Sequence, residues 1–221
     1  MSKVLILVEG QAEETFVRDV LAPYLLGKSV YVFAKLATTK RVKSGPDFKG
    51  GIVSYGKVKN DIVRLLHDTS AVMVTTMIDF YGLPEDFPGR KKMPRGSCYK
   101  RVAYLEHELQ KDINHHKFLP YLTLHEFEAM AFVSPDRIAN AFPGTNVIGK
   151  LRAIRSEFQS PEEIDEEEPP SERLSALLPE YEKPLHGPLA ILEIGIDEIR
   201  GECAHFDEWL KKLEALEWPT T

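Results

Sequence analysis

Three apolar segments of the chain each lead into acidic residues. VLILVEG reaches Glu9, VMVTTMIDF carries Asp79 beside its end, and FLPYLTLHEFE contains Glu126 and Glu128. Short runs of β-branched and other apolar residues predict buried strands. An unpaired carboxylate is costly to bury, so a buried strand seldom ends on acid by chance. Three such endings therefore constrain both the fold and the position of any functional site.

The first half of the chain alternates between strand and helix patterns. We predict strands at residues 3–8, 29–36, 71–78 and 118–124, separated by segments whose apolar residues recur at helical spacing. The order βαβαβαβ favours parallel pairing with right-handed crossovers. The sequence therefore predicts an α/β fold with a mostly parallel four-stranded, Rossmann-like sheet flanked by helices.

The second part of the chain has helical patterns and no further convincing strand after Glu126. We predict an α/β domain over residues 1–133 and a helical C-terminal extension over residues 134–221, packed on that domain. The acidic, proline-bounded stretch PEEIDEEEPP predicts a linker near residues 160–170. The last helices carry enough apolar and aromatic residues to cover the domain or to form an oligomer interface.

Composition limits the classes of function. The net charge of −6 leaves no global basic field, although a local basic surface would suffice to bind nucleic acid. Cys98 and Cys203 have no metal-ligand or redox spacing, and the longest apolar run is far too short to span a bilayer. We therefore expect a reduced, cytoplasmic setting and no membrane partner.

The acidic residues predict a metal site. If the strands are parallel neighbours, their carboxyl ends meet at one edge of the sheet, where open α/β folds bind ligands. Clustered carboxylates repel one another unless a cation lies among them, and Mg²⁺ (or Mn²⁺) prefers oxygen ligands. We predict metal ligation by Glu9, Glu13, Asp79, Glu126 and Glu128, with Glu9, Asp79 and Glu126 as the catalytic residues.

Each of these residues also has a structural interpretation. Glu9 and Glu13 can complement the positive N-terminus of the helix that follows them, and Asp79 can cap the next loop. The two glutamates of HEFEA share a face if the strand continues, but they splay if a helix begins there. His125 could be a metal ligand or a general base, although a lone histidine beside a strand is more often structural.

Motifs of several other chemistries are absent from the sequence. There is no GxSxG nucleophile turn, no Walker A segment and no GxGxxG dinucleotide motif. The histidines and cysteines also lack the spacing of zinc ligands. These absences leave carboxylate-based metal chemistry as the best-supported class.

Basic residues cluster in two loops. One is the polar stretch 40–51, and the other follows Asp79. The basic residues of the second loop and of the helix after it are Arg90, Lys91, Lys92, Arg95, Lys100 and Arg101. Such runs of basic residues are commonly solvated surface. However, phosphodiester chemistry requires basic side chains that bind phosphate beside acidic side chains that bind metal. We predict phosphate contacts from Lys91, Lys92 and Arg95.

Five short segments carry a resemblance to a known family. They are VEGQAEETF (Val8–Phe16), DFYGLP (Asp79–Pro84), HEFEA (His125–Ala129), LHGP (Leu185–Pro188) and HFDEWL (His205–Leu210). The run ILVEGQAEETFV resembles the opening motif of Toprim domains, the metal-binding module of topoisomerases, primases and OLD-family nucleases. Over nearly its full length the chain is similar to a bacterial Toprim-like family of unknown function.

The resemblance implies a Toprim-like fold and specific roles at the site. Glu9 matches the Toprim glutamate and Asp79 the first acid of the DxD motif, while HEFEA would supply a further acid, as in the nuclease branch. The chain departs from the pattern at two positions. Tyr81 stands where the second aspartate of DxD belongs, and Ala12 replaces the threonine of VEGxTE.

Two hypotheses for function follow. The first is a Mg²⁺-dependent phosphodiester hydrolase, a nuclease acting on DNA or RNA. The resemblance implies for it a setting in defence against mobile DNA beside a separate ATPase subunit. The alternative is a non-catalytic interaction module whose helical tail docks onto a partner such as an ATPase, or onto a second copy in a homo-oligomer.

Overall fold

The predicted parallel sheet is present, with strands close to their predicted bounds. The computed structural model of the chain describes residues 2–38, 52, 54–164 and 167–216, without the side chains of residues 183 and 184. Its strands are β1 (Ser2–Val8), β2 (Val30–Leu36), β3 (Met73–Asp79), β4 (Phe118–Leu119) and β5 (Leu122–Thr123). They run in the order β2-β1-β3-β4, with β5 also beside β3, and these pairings are parallel. The α/β fold class is therefore confirmed. The predicted basic loop with Lys40, Arg41 and Lys43 lies outside the described residues.

The predicted fourth strand is divided into β4 and β5. Pro120 has no N–H to pair with a neighbouring strand. The hydroxyl of Thr76 accepts the N–H of Tyr121 at 2.9 Å and donates to the carbonyl of the same residue at 2.8 Å. A side chain thus replaces the strand pairing over this position, and pairing resumes where Asp79 lies opposite Thr123.

Helices connect the strands. They are α1 (Gln11–Phe16), a π-helical turn (Val17–Leu21), α2 (Ala22–Leu26), α3 (Tyr55–Leu66) and α4 (Cys98–Ile113). The π-helical turn ends two residues before Pro23, which lacks the N–H that would continue a regular ladder. The helical part of the connection from β1 to β2 therefore contains one wider, π-helical turn in its middle.

The described chain after β5 is helical. A 3₁₀ segment (Phe127–Val133) is followed by α5 (Pro135–Asn140), α6 (Ile148–Ser156), α7 (Pro170–Leu177), α8 (Lys183–Ile194), α9 (Ile196–Glu202) and α10 (Ala204–Glu214). Two helices, α8 and α9, meet at Gly195, whose φ of 86° ends α8. Within the described residues, no helix combines the length and apolarity needed to cross a bilayer.

Both faces of the sheet are covered. Val4, Ile6 and Val8 of β1 pack against α1, α2 and the C-terminal helices, whereas Leu5 and Leu7 pack against α3 and α4. Alternate residues of a strand point to opposite faces, which explains this division. The C-terminal helices thus share one core with the strands. The domain boundary at residues 133/134 stays a prediction.

The start of the acidic stretch near residues 160–170 is packed rather than exposed as expected for a linker. Ile164 is fully buried and Glu162 is only 3% exposed. The Glu162 carboxylate accepts the N–H groups of His205 and Phe206, each at 3.0 Å, in the first turn of α10. Burial raises the pKa of Glu162. These hydrogen bonds favour the charged carboxylate and act in the opposite direction, but burial has the larger effect. The carboxylate satisfies N–H groups that a helix start leaves unpaired.

The helix α10 is fixed to the sheet by stacked rings. Tyr121 stacks on His205 with centroids 5.2 Å apart and on Trp209 with centroids 4.5 Å apart. The indole N–H of Trp209 donates to the Thr75 hydroxyl at 2.9 Å. His205 Nε2 lies 3.0 Å from Glu106 Oε1 on α4. The HFDEWL segment therefore joins α10 to both the sheet and α4.

The contact between His205 and Glu106 links the stability of the fold to pH. Burial favours neutral His205, but the hydrogen bond and charge of Glu106, together with the charge of Glu162, outweigh it and raise the histidine pKa above 6.5. A raised pKa means that the folded state binds the proton more tightly than the unfolded state. The stabilisation is therefore complete below pH 6.5 and is lost as pH rises through the raised pKa.

Removing the charge of Glu106 tests this linkage. In Glu106→Gln, an amide oxygen can still accept a hydrogen bond, but protonated His205 loses its anionic partner. We expect the wild type to be more stable than this variant by about 1 kcal/mol at pH 6, with the difference shrinking above pH 8. Urea denaturation across this pH range measures the effect. Exposed Glu198→Gln is the matched control, and a difference that does not vary with pH would contradict the linkage.

Candidate functional site

The carboxyl ends of β1 and β3 form the topological switch point of the sheet. β1 is followed by α1 on one face, whereas the chain after β3 leads to α4 on the opposite face. The two connections diverge at adjacent strand ends, and open α/β sheets bind ligands in the crevice expected between such ends. Glu9 follows β1 and Asp79 ends β3, so these two acids border the crevice.

Asp79 is hydrogen-bonded to both neighbouring segments. Its N–H donates to Glu9 Oε2 at 3.2 Å, and its Oδ1 accepts the N–H of Phe127 at 2.9 Å. Asp79 is only 6% exposed, while Glu9 is partly buried. The structure thus brings Glu9, Asp79 and the HEFEA segment to one edge of the sheet.

Glu13 lies in the first turn of α1 and stabilises the turn out of β1. Its Oε2 accepts the N–H of Gly10 at 2.9 Å, which is one half of a capping box. A Cβ on Gly10 would lie 3.2 Å from that oxygen, so glycine allows the close approach. The observed contact fits the structural interpretation of Glu13, and its role as a metal ligand stays a prediction.

The HEFEA glutamates follow the helical alternative, because a 3₁₀ segment begins at Phe127. Glu126 Oε2 accepts the N–H of Ser171 in α7 at 2.9 Å. Glu128 is fully buried, and a Cβ on Gly187 in α8 would lie 3.9 Å from its Oε1. The Glu126 carboxylate thus contacts α7 and the Glu128 carboxylate lies near α8, and neither position could be inferred from the spacing of the motif.

His125 turns the chain from β5 into the 3₁₀ segment. Its φ of 57° lies in the left-handed region, which residues other than glycine seldom adopt. Its carbonyl accepts the N–H of Tyr81 at 2.9 Å, and its ring packs edge-on against Phe80 with centroids 6.1 Å apart. These contacts fit the structural interpretation of His125.

The predicted phosphate-binding residues Lys91, Lys92 and Arg95 are exposed in the loop after β3. Two other cations lie beside Phe80, the residue after Asp79. The guanidinium carbons of Arg90 and Arg101 are 5.9 and 5.1 Å from the Phe80 ring centroid. Sequence reasoning placed both arginines in the basic cluster without selecting them. In the sequence, the feature that could have singled them out is the aromatic residue directly after the strand-end acid.

The acids at the crevice have the donor chemistry of a magnesium site. Among residues 2–38, 52, 54–164 and 167–216, no group of three or more His, Cys, Asp or Glu side chains is placed to hold a metal. Mg²⁺ is commonly held by one or two carboxylates, with waters and substrate phosphates completing its shell. Glu9 and Asp79 have the donor chemistry of such a two-carboxylate site, and backbone N–H groups orient both carboxylates.

Comparisons with known proteins place the chain in a family. A family model described as "Domain of unknown function (DUF4276)" matches residues 8–214, which include both the sheet and the C-terminal helices. The C-terminal region of the Burkholderia pseudomallei OLD protein is similar in structure, with a TM-score of 0.45 and 16% sequence identity. That similarity covers 97% of this chain and 100% of the other. No curated protein matches the chain.

Replacing Asp79 tests how the crevice is held together. Asp79→Asn keeps an oxygen that accepts the Phe127 N–H, so we expect the free energy of unfolding to change by less than about 1 kcal/mol. Asp79→Ala leaves this buried N–H without its acceptor, and we expect a loss of about 2 kcal/mol. Urea denaturation measures both values. Equal losses in the two variants would show that the hydrogen bond does not stabilise this edge.

Proposed function

The chain belongs to the DUF4276 family, and we propose that it is a metal-dependent phosphodiester hydrolase that acts on nucleic acid. The observation that carries the proposal is the contact between Glu9 and Asp79 at the switch point of the sheet, with Glu9 Oε2 3.2 Å from the Asp79 N–H. Two carboxylates in a largely buried crevice form a site that favours a divalent cation over a neutral ligand.

In this proposal Glu9 and Asp79 hold Mg²⁺ or Mn²⁺. The ion supplies a Lewis acid for phosphoryl oxygens and lowers the pKa of bound water. The protein contributes orientation, since the Asp79 N–H fixes the Glu9 carboxylate and the Phe127 N–H fixes the Asp79 carboxylate. Carboxylates held in this way need little rearrangement when a substrate arrives.

Other acidic residues complete the proposed site. Glu126 directly precedes the residue bonded to Asp79, and we propose it as the third catalytic acid. Glu13, one helical turn beyond Glu9, and Glu128 stay candidate ligands. Tyr81, at the position of the second DxD acid, is 43% exposed and offers no carboxylate. A further acid would therefore come from HEFEA.

The proposal extends to substrate and setting. Lys91, Lys92 and Arg95, exposed after β3, would contact the phosphates of DNA or RNA. Cys98 and Cys203 are unpaired and buried, in keeping with the reduced cytoplasmic setting that we propose. The resemblance to Toprim motifs supports a function in defence against mobile DNA, with a separate ATPase as partner.

Cleavage assays test the hydrolase proposal. Supercoiled plasmid, single-stranded DNA and RNA are incubated with wild type, Glu9→Gln or Asp79→Asn in Mg²⁺ or Mn²⁺. We expect cleavage by the wild type, its loss in EDTA, and a decrease of at least about 100-fold in each variant. Glu14→Gln is the matched control, because it removes a charge from α1 at a residue outside the proposed site. This variant should retain activity. If wild type and Glu9→Gln behave identically on every substrate, the proposal fails.

A second candidate function is a non-catalytic interaction module. Leu185, Leu189 and Leu192 of α8 are 50%, 46% and 48% exposed, and their spacing places them along one side of the helix. An exposed apolar stripe is typical of a contact surface. In this case the C-terminal helices would dock onto an ATPase or a second copy, and the acids at the crevice would not act in catalysis.

Metal binding distinguishes the two candidates. For the hydrolase we expect heat on titration with Mg²⁺ and a rise in Tm of about 3 °C at saturating metal, because the ion binds only the folded state. Glu9→Gln should abolish both effects. Isothermal titration calorimetry and thermal unfolding provide the measurements. No binding, with Tm unchanged by Mg²⁺, would favour the interaction module.

A further inference from the structure

Two arginines lie over the aromatic ring that follows the crevice acid. The guanidinium carbon of Arg101 is 5.1 Å from the Phe80 ring centroid, and that of Arg90 is 5.9 Å from it. Phe80 is 1% exposed, so the ring is a fixed support in the core. Cation–π attraction orients both guanidinium groups against it. Two positive charges are thus held beside the residue next to Asp79.

Within residues 2–38, 52, 54–164 and 167–216, no neighbouring acid neutralises the charge of Arg90. Arg90 forms no ion pair with any carboxylate in the described part of the chain. By contrast, Arg18, Arg152 and Arg200 each hold a carboxylate within 2.7 Å. Arg90 is also partly buried. A partly buried guanidinium that no carboxylate occupies can bind a phosphate through two parallel N–H···O bonds.

The supports of both arginines are fixed before any ligand binds. Arg101 lies on α4, and the loop that carries Arg90 is packed against the same helix. Gly89 has a φ of 80°, and a Cβ there would come within 2.9 Å of Glu108 Cγ, so only glycine lets the backbone approach this closely. Phe87 of the loop is only 3% exposed. The arginines therefore lose little conformational freedom on binding.

We propose that Arg90 and Arg101, supported by Phe80, form a phosphate clamp that binds the phosphodiester backbone of nucleic acid beside Glu9 and Asp79. This inference rests on the proposed hydrolase function and adds the residues that position its substrate. Unlike Lys91, Lys92 and Arg95, which are exposed, the clamp residues are partly buried and supported by an aromatic ring. The clamp would hold the phosphate next to the end of β3, where the crevice acids would act on it in the proposed hydrolase.

Nucleic-acid binding without cleavage tests the clamp. Fluorescence anisotropy of labelled single-stranded and duplex DNA is measured in EDTA over a range of salt concentrations. We expect Arg90→Gln and Arg101→Gln each to weaken binding roughly tenfold. Each should also reduce the slope of log affinity against log salt by about 0.9 for duplex DNA, because one phosphate contact is lost.

Three further variants separate the effect of the arginine charges from the effect of the Phe80 ring that supports them. Arg152→Gln removes an exposed, paired arginine and should leave both affinity and slope unchanged. Arg101→Lys keeps the charge but not the planar fork, so affinity should fall while the salt slope stays near that of the wild type. Phe80→Leu keeps both charges and removes the ring, and we expect weaker binding. Thermal unfolding checks that each variant is folded.

The outcomes distinguish the clamp from the hydrolase. Unchanged affinity and slope in both glutamine variants would overturn the clamp, as would a wild type that binds no nucleic acid. If binding depends on both arginines but no substrate is cleaved in Mg²⁺, the clamp stands and the hydrolase proposal fails. If the wild type cleaves and the glutamine variants bind and cleave equally well, the clamp alone fails.

Discussion

The hydrogen bonds of Asp79 hold the carboxyl edge of the sheet together. β3 lies between β1 and the divided fourth strand, so its last residue can reach the segments that follow both neighbours. Its N–H contacts Glu9, and its carboxylate contacts the N–H of Phe127. Both contacts follow from the parallel register of three strands. The position of the candidate site therefore depends on the pairing of the sheet, and its carboxylates are oriented by backbone groups.

The same edge is supported from the C-terminal helices by aromatic packing. Phe16 of the VEGQAEETF segment lies 5.3 Å from Phe127 of HEFEA and 6.2 Å from Phe206 of HFDEWL, measured between ring centroids. Trp209 of the last segment is hydrogen-bonded to Thr75 in β3. These segments therefore carry packing as well as acidic chemistry. The C-terminal helices pack on β3 and on the segments that flank the site, which gives these helices a structural part in the site.

Much of the fold followed from local patterns, and the differences come from long-range contacts. Apolar runs predicted β1, β2 and β3 to within about two residues. The fourth strand is divided because the hydroxyl of Thr76, more than forty residues away in sequence, binds the backbone of Tyr121. The start of the acidic stretch is packed because the Glu162 carboxylate caps α10. Neither partner could be assigned from sequence spacing.

The fold class and the positions of Glu9 and Asp79 at strand ends follow from the sequence alone, because strand periodicity and the βαβ order are local properties of the chain. The contacts of each side chain depend on the folded chain. It directed Glu126 to α7 and brought Arg90 and Arg101 to one ring. Hydrogen bonds and cation–π contacts act over a few ångströms, so they form only between residues that the fold brings together.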